Sequence, residues 1–283
     1  MITEVRAGPY TIRGISVAGV YTTLQVPELD VVLDVGIPLR SFASTDRIFL
    51  SHGHGDHASA LASLLGIRDL MVRRRARVFL PAEIEHQVAE SLALLSKLHR
   101  NQMDVELVPV RPGETFNLGR DLWVRALRTH HPVPSLGYQF LRKVKKLKAE
   151  LRELPQAEIA ALRRAGRADL FEESERLELA YCTDTLSRVV ETSPSVLESR
   201  VLILECTYVN HDHTVEDARR RAHIHLDEIV ARADLFRNEH LVLMHFSQSH
   251  SPATVHATVR ERVPESLRDR VVVFAPTTGG WPG

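Results

Sequence analysis

Residues 50–57 hold the densest group of chemically competent side chains in the chain. Their sequence, LSHGHGDH, places His52, His54, Asp56 and His57 within six residues. Two intervening glycines allow the backbone to turn tightly, so that the side chains can converge. Imidazole nitrogens and carboxylate oxygens are ligands that zinc prefers, and so many ionisable groups would be unfavourable side by side without a cation. The segment predicts a metal site rather than a histidine-rich surface loop.

Four ligands from one short loop cannot enclose two ions, so other strand ends must contribute. His131 follows a predicted strand over 122–127, Asp184 lies in YCTDT after another, and His245 ends the apolar run LVLM. Functional side chains are common where a strand passes into a loop. Each residue alone is more typical of a core or turn position. Together with the loop they complete two ion sites.

The elements that position these residues alternate along the chain. Helices are predicted over 83–100, over 215–233 and from Pro252, which follows a capping serine. Strands separated by helices in two similar halves predict an α/β fold in which two β-sheets lie between helical layers. The predicted strands are residues 15–21, 31–35, 47–50, 77–80, 105–108, 122–127, 201–205, 241–244 and 271–274.

Residues 142–167 interrupt this alternation of strands and helices. The segment is basic, its apolar residues follow a helical spacing, and Pro155 divides it. We interpret it as a basic helical insertion into a single domain of residues 1–283. With RRRAR at 73–77 and RRR at 219–221 it could bind phosphates, or it could be a solvated face that the acidic run 172–178 balances.

Composition narrows the class of protein. Lys+Arg and Asp+Glu both number 36, so the formal net charge is zero and a nucleic-acid contact requires a local patch. The two cysteines are too few for a disulfide scaffold. The N-terminal residues lack the pattern of a signal peptide, and no run approaches the roughly 20 apolar residues of a membrane span. We expect a cytoplasmic protein that does not enter the membrane.

The motifs resemble those of a known superfamily. HGHGDH is similar to the H-x-H-x-D-H signature of metallo-β-lactamases, and LDVG at 33–36 resembles their early strand that ends in Asp-x-Gly. Within that superfamily the likeness is to the ribonuclease Z branch, the tRNA 3′-processing endonucleases, and it spans nearly the whole chain. The segments that carry it are HPVPSLGY (131–138), YCTDT (181–185), LECTY (204–208), RAHIH (221–225) and MHFSQ (244–248).

The resemblance implies a metallo-β-lactamase αββα sandwich and assigns a ligand set. His131 rather than His130 fits the family pattern H-x-x-P-x-x-G-Y. Two Zn²⁺ ions per chain are implied, although the same ligands also suit Mn²⁺ or Fe. One zinc would be held by His52, His54 and His131, the other by Asp56, His57 and His245, with Asp184 bridging both.

Further residues have implied roles around the metals. Asp34 would support the ligand loop through hydrogen bonds, or be a structural acidic residue. His223 matches the family's proton donor, and Glu205 matches the residue that precedes it at a strand end. His225 would lie about 200° around a helix from His223, so only one of the two can face the site. Asp56 could also orient the water that attacks the substrate.

The leading hypothesis is a metal-dependent hydrolase, a ribonuclease Z-like phosphodiesterase in which a hydroxide shared by two metals cleaves near the 3′ end of precursor tRNA. The resemblance also implies a homodimer. A hydrolase of a small phosphodiester or thioester is the alternative, and a non-catalytic RNA- or metabolite-binding relative is the third possibility. The chain departs from the family pattern at two positions that the resemblance places beside the substrate. Gly36-Ile37-Pro38 stands where the family has Gly-Glu-Gly, and Ser249-His250 stands where it has Arg-Tyr.

Overall fold

Two seven-stranded sheets form the centre of the structure, a computed structural model that describes residues 2–72, 74–151 and 153–282. In spatial order the first sheet consists of β1 (Thr3–Ala7), β2 (Tyr10–Val17), β3 (Tyr21–Val26), β4 (Val31–Leu33), β5 (Arg47–Phe49), β6 (Ala76–Pro81) and β7 (Val105–Val110). The second consists of β8 (Thr115–Gly119), β9 (Leu122–Arg128), β10 (Leu136–Leu147), β11 (Phe171–Cys182), β12 (Val201–Glu205), β13 (His240–Met244) and β14 (Val271–Val273).

The two sheets have the same topology. β1 to β4 and β8 to β11 pair antiparallel, and the strands that follow, β4 to β7 and β11 to β14, pair parallel. The carboxyl ends of parallel strands meet at one edge of a sheet, the usual place of a ligand site in layered α/β proteins. Each half of the chain therefore brings several loops to such an edge.

Apolar side chains fill the space between the sheets, and helices cover both outer faces. Phe49 stacks on Phe79 with ring centroids 4.5 Å apart and meets Phe140 of the second sheet edge-on. Two further buried clusters lie between the sheets and the helices. The predicted αββα sandwich is confirmed. The helices are α1 (Gly55–Ala58), α2 (Leu61–Met71), α3 (Glu85–His99), α4 (Gln156–Arg164), α5 (Val189–Thr192), α6 (Val215–Arg220), α7 (Leu226–Val230), α8 (Pro252–Arg262) and α9 (Glu265–Arg268).

Residues 142–147 do not form the predicted helix; they complete β10. Lys143 pairs in register with Glu175 of β11, and Lys145 pairs with Glu173. Opposite charges that face each other across two strands stabilise a sheet. A few apolar residues at this spacing fit a helix or a strand, and pairing with the acidic strand decides between them.

We call residues 142–176 the arm, because the outer halves of β10 and β11 extend as a hairpin with α4 between them. The predicted insertion at 142–167 is therefore helical only in α4 and in one short 3-10 turn, Ala149–Leu151. Its basic strand faces an acidic one. Arg152, which belonged to the predicted insertion, lies outside the described residues.

The helix predicted over 215–233 is two helices, α6 and α7, with an irregular segment between them. Ala222 has a φ of 59°, which an α-helix cannot contain. His225 accepts a hydrogen bond from the backbone of Asp227 and begins α7 as its capping residue. His223 and His225 are therefore not related by a helical turn. No helix in the described residues is long and apolar enough to cross a membrane.

Candidate metal centre

The predicted ligands lie together at one edge of the sandwich, where strands of both sheets end. The ligand loop, residues 50–57, directly follows β5 and runs into α1. β9 runs in the same direction as β11, because both are antiparallel to β10. Seven side chains reach this edge: His52, His54, Asp56 and His57 after β5, His131 after β9, Asp184 after β11 and His245 after β13.

These side chains form two groups that could each hold a cation. In each group the candidate ligand atoms all lie within 4.8 Å of one another. His54 Nδ1 and His131 Nε2, for example, are 3.2 Å apart. The first group contains His52, His54, His131 and Asp184, and the second contains Asp56, His57 and His245.

Asp184 lies between the two groups and turns a different oxygen to each. Its Oδ1 is 3.2 Å from His57 Nε2 and 3.3 Å from His245 Nε2. Its Oδ2 is 3.9 Å from His52 Nε2, in the first group. A carboxylate in this position can coordinate two cations at once.

The hydrogen bonds of His52 leave one of its nitrogens free to bind a metal. The Ser51 hydroxyl donates its proton to Asp34 at 2.8 Å, so it accepts a hydrogen bond from His52 Nδ1 at 2.9 Å. Nε2 therefore carries a lone pair. This atom is buried and has no hydrogen-bond partner among the described residues. A buried polar atom without a partner is costly, and a cation beside it removes that cost.

The same reasoning applies to the second group. His57 Nδ1 donates to Asp34 at 2.8 Å. His245 Nδ1 lies 3.3 Å from Thr207 Oγ1, whose own proton is donated to Glu205. When both rings are neutral, the two Nε2 atoms present lone pairs 3.3 Å apart, which repel unless a proton or a metal ion lies between them. With Asp56 beside them, this donor set fits a divalent metal ion.

Asp34 holds the ligand loop in place by accepting four hydrogen bonds. It accepts hydrogen bonds from the Ser51 amide at 2.6 Å and the Ser51 hydroxyl, and a third comes from His57. The Tyr181 hydroxyl donates a fourth at 2.6 Å. Hydrogen bonds of this kind orient ligands and raise their basicity. Asp34 is thus placed where the sequence expected a supporting aspartate, with Ser51 and Tyr181 as partners that the sequence reasoning missed.

His223 borders the same centre and is held by Glu205. Its Nδ1 donates to Glu205 Oε1 at 3.0 Å, while Ile224 N–H donates to Oε2. The ring of His223 is centred 5.5 Å from that of His245. Burial acts to lower the pKa of His223, but the charge of Glu205 and its hydrogen bond outweigh burial and raise the pKa to about 9. His225, in contrast, is buried and donates to the Asn210 carbonyl, away from the site.

Burial and the neighbouring charges shift the pKa values of two histidines of the ligand loop in opposite directions. Burial lowers the pKa of His52 to about 2, and the charge of His57 acts in the same direction. Burial also acts to lower the pKa of His57, but Asp184 and Asp34 outweigh it and hold that pKa well above its ordinary value. His52 is therefore neutral, which is the form that binds a metal. His57 lies where the negative charges of Asp184 and Asp34 favour a cation.

The two carboxylates that face the histidines are ionised. Burial acts to raise the pKa of Asp184, but His245 and His57 outweigh it and hold the pKa well below its usual range. For Asp56 the hydrogen bonds with the same two histidines also outweigh burial and lower the pKa. The centre thus combines buried anions with neutral imidazole, and it attracts positive charge.

Several residues of the site adopt a strained backbone. Asp34, Asp184 and His245 have φ values of 58°, 42° and 60°, in the left-handed region that residues other than glycine rarely adopt. Ala222, directly before His223, has a φ of 59°. Such conformations cost on the order of 1–3 kcal/mol each and cluster at functional sites. The strands therefore end in sharp turns that direct these side chains toward one point.

Gly36 allows the chain after β4 to pass against the ligand loop. A Cβ at this position would lie 1.9 Å from the backbone oxygen of Asp56 and 2.8 Å from the amide of Thr22. Both neighbours are backbone atoms, so neither can move without displacing the loop. We expect Gly36→Ala to lower the free energy of unfolding in urea by about 3 kcal/mol.

Gly66→Ala is the matched control, because Gly66 lies in α2 and a Cβ there meets no atom within 4 Å. This change should leave stability unaltered or raise it by about 0.5–1 kcal/mol, since alanine favours a helix. Equal stability of Gly36→Ala and the unchanged protein would show that the close approach does not constrain the loop.

The placement of the predicted residues follows the sequence closely. All seven predicted ligands lie together, and His130 turns away, with its Nε2 2.8 Å from Thr192 Oγ1. Sequence reasoning missed Tyr181 and Ser51. A tyrosine inside an apolar strand, two residues before the strand-end turn, was the available signal for the first. Nothing in the sequence distinguished Ser51 from any loop serine.

Comparison with known proteins agrees with this fold. Residues 28–150 match the Beta-lactamase superfamily domain family. The metallo-beta-lactamase fold protein YhfI from Bacillus subtilis superposes with a TM-score of 0.62 at 15% identity, over 100% of this chain and 98% of its own. The short form of human tRNase Z superposes with a TM-score of 0.54 at 17% identity, over 88% and 93%. Fold and site together define a protein with the metallo-β-lactamase fold and a candidate metal centre.

Sequence comparison narrows this class. A tRNase Z of Arabidopsis thaliana is 33% identical over 272 residues, which cover 95% of this chain and 96% of the relative. A chloroplastic tRNase Z of the same plant is 30% identical over 253 residues, covering 88% and 71%. The chain belongs to the ribonuclease Z (tRNase Z) family.

Proposed function

We propose that this chain is an endoribonuclease that cleaves precursor tRNA near its 3′ end with the help of two metal ions. The family membership supports the substrate. The observation that carries the chemistry is Asp184, whose two oxygens face two separate groups of ligands. Zinc is the proposed metal, and its identity, like the cytoplasmic location, stays a prediction from the sequence.

The proposed ligands are those implied by the motifs. Asp184 would be shared between the two ions, and the groups on either side of it would hold one ion each. Two bound ions would lower the pKa of water and neutralise the charge of phosphate oxygens. The ions would be held by His52, His54 and His131 on one side and by Asp56, His57 and His245 on the other.

The protein residues around the ligands have two tasks. Asp34 and Thr207 hold His57 and His245 with one lone pair toward the centre. Asp56 additionally accepts a hydrogen bond from the Gly19 amide at 3.0 Å, which fixes the direction of its carboxylate. An ionised Asp56 can accept a hydrogen bond from a water molecule and orient it toward the substrate phosphorus.

His223 is the proposed proton donor to the leaving oxygen. Glu205 binds its Nδ1, so Nε2 is the atom that is free to donate. The ring lies beside both His131 and His245, with centroid separations of 5.9 and 5.5 Å. A general acid in such a position typically contributes about 10²–10⁴-fold to the rate.

The surface that would bind RNA is smaller than the basic sequence runs suggest. In the arm, glutamates pair in register with Lys143, Lys145 and Lys146, and Lys148 forms an ion pair with Asp169. In the runs 73–77 and 219–221 the described arginines that form ion pairs are Arg74 with Asp46, Arg75 with Asp104, Arg77 with Glu106, Arg219 with Glu228 and Arg220 with Asp217. Arg73 lies outside the described residues.

Arg163 and Arg164 are exposed on α4, outside the arm strands, and form no ion pair within the part of the chain that the structure describes. We propose that they contact the phosphates of the tRNA. Replacing both with glutamine should raise the KM for precursor tRNA and reduce the salt dependence of its binding, since fewer counterions are released. The control is Arg237→Gln, an exposed arginine that precedes β13 at the opposite edge.

The test of the proposed function is a parallel assay of the metal-loaded protein with precursor tRNA and with bis-p-nitrophenyl phosphate. We expect cleavage of the tRNA near its 3′ end, with binding that weakens steeply as salt rises. Hydrolysis of the small ester alone would contradict the proposal and favour the alternative, a hydrolase of small phosphodiesters. The small ester is too short to contact α4, so it provides the reference rate for the arm variants.

The homodimer implied by the resemblance stays a prediction, and α3 offers a surface for a second copy of the chain. Leu94 and Leu98 are 65% and 76% exposed on that helix, and Leu70 on α2 is 89% exposed. Apolar side chains in such a group often mark an interface. Light scattering should give about twice the chain mass of 31.9 kDa. Leu94→Glu with Leu98→Glu should give the monomer; a monomer before substitution would contradict the prediction.

A further inference from the structure

A cavity of about 370 Å³ opens beside the candidate metal centre. His131 forms part of its wall, so the cavity and the first group of ligands are neighbours. Its volume falls in the range of about 300–1,000 Å³ that small-molecule sites occupy. Most of the lining comes from the end of β9 and from the loop that follows it, which carries the motif HPVPSLGY. The lining includes Arg128, Thr129, Pro132, Pro134, Ser135 and, from the segment before α3, Glu83.

The side chains of this cavity combine three kinds of recognition. Arg128 is exposed and forms no ion pair within the described residues, so its guanidinium is available for an anion. Thr129 and Ser135 place two hydroxyls 2.6 Å apart. Pro132 and Pro134 provide rigid apolar surface at little entropic cost.

Glu83 narrows the class of ligand. A carboxylate that faces the same cavity disfavours a bare anion, but it accepts hydrogen bonds from hydroxyl or amino groups. A charged and hydroxylated lining also disfavours an apolar acyl chain. The ligand that satisfies all these groups carries a phosphate group, hydroxyl or amino groups that donate hydrogen bonds, and a flat ring. A nucleotide has all three.

We propose that this cavity binds the nucleoside joined to the scissile phosphate, and that Arg128 binds the next phosphate along the RNA strand. The inference rests on the proposed function, because the neighbouring metal centre must hold the scissile phosphate. Arginine suits this role, since its planar guanidinium can form two parallel hydrogen bonds with a phosphate. Arg128 would then position the RNA strand without taking part in the reaction.

The test is a calorimetric titration of the metal-loaded protein with adenosine 3′,5′-bisphosphate, adenosine 5′-monophosphate and inorganic phosphate. The bisphosphate should bind most tightly, because it alone offers a nucleoside and two phosphates. Arg128→Gln should weaken bisphosphate binding about tenfold, about 1.4 kcal/mol, and remove the advantage over the monophosphate. Arg237→Gln is the control and should bind all three as the unchanged protein does.

A second variant tests the cavity itself. Val133 also lines it, and Val133→Trp should fill it and weaken both nucleotides while inorganic phosphate still binds. Equal bisphosphate affinity in Arg128→Gln and the unchanged protein overturns the inference, as does a bisphosphate that binds no better than phosphate. Because these titrations need no turnover, an Arg128-dependent affinity supports the cavity even where precursor tRNA is not cleaved.

Discussion

The Asp184→Ala variant is expected to lose turnover and bound metal together. Asp184 presents one oxygen to each group of ligands, so its removal weakens both ion sites at once. It also leaves the neighbouring imidazoles without their shared anion. Loss of a hydrogen-bond partner of a ligand already costs about 10–100-fold in affinity or activity, and loss of a shared ligand should cost more. Metal analysis and a single-turnover assay on the same sample measure both effects.

Asp234→Ala is the matched control for this experiment. Asp234 is an exposed aspartate in a 3-10 turn before β13, at the edge opposite the metal centre. It should retain both metal and activity. Full activity with two retained ions in Asp184→Ala would show that the shared carboxylate is wrongly assigned.

The second large effect is expected for His223→Ala, which should lower kcat by about 10²–10⁴-fold without loss of metal. The side chain borders the centre but is held by Glu205, so it should act on the leaving oxygen rather than on the ions. KM should change little, because no substrate contact other than proton donation is removed. The comparison is His225→Ala, which removes the cap of α7 and should reduce stability rather than kcat.

His223 is also close enough to Asp184 and His245 to join them around one cation. A fall in metal content of His223→Ala parallel to the fall in kcat would therefore contradict the role of proton donor. A leaving group of low pKa needs no proton, so p-nitrophenolate release should be affected less than RNA cleavage. Equal losses on both substrates would contradict the role as well.

The candidate ligands could be predicted because their signal is local and chemical. Three histidines and an aspartate in residues 52–57 have few structural explanations, and strand ends converge at one edge in layered α/β folds. The apolar strands β12, β13 and β14 were predicted almost to the residue for a related reason. Each is a short run rich in branched residues, and in β12 and most of β13 burial on both faces leaves little choice of conformation.

The elements that were missed depend on contacts distant in sequence. Residues 15–21 were predicted as one strand, but Gly19 adopts a φ of 69° and turns the chain from β2 into β3. That turn brings the Gly19 amide to Asp56, a contact that spans 37 residues. In the arm, Lys145 is in a strand because Glu173 faces it, and no local pattern contains that pair.

The break between α6 and α7 has the same origin. Residues 215–233 follow a helical spacing, yet buried Glu205 accepts hydrogen bonds from His223 and from the Ile224 amide and holds this segment out of a helix. The sequence reasoning expected only one of His223 and His225 to face the site. In the structure His223 borders the candidate metal centre and His225 turns to the Asn210 carbonyl. The two side chains diverge because the helix is interrupted, and not because of an angle between two positions on one helix.

Metal analysis of the purified protein tests the central claim most directly. The protein is stripped with a chelator, assayed, and titrated with Zn²⁺ while bound metal and hydrolysis are followed together. The account predicts inactive apoprotein, two ions bound per chain, and recovery of activity as the second ion binds. A pure preparation that contains no metal, hydrolyses its substrate and does not respond to added divalent ions would contradict it.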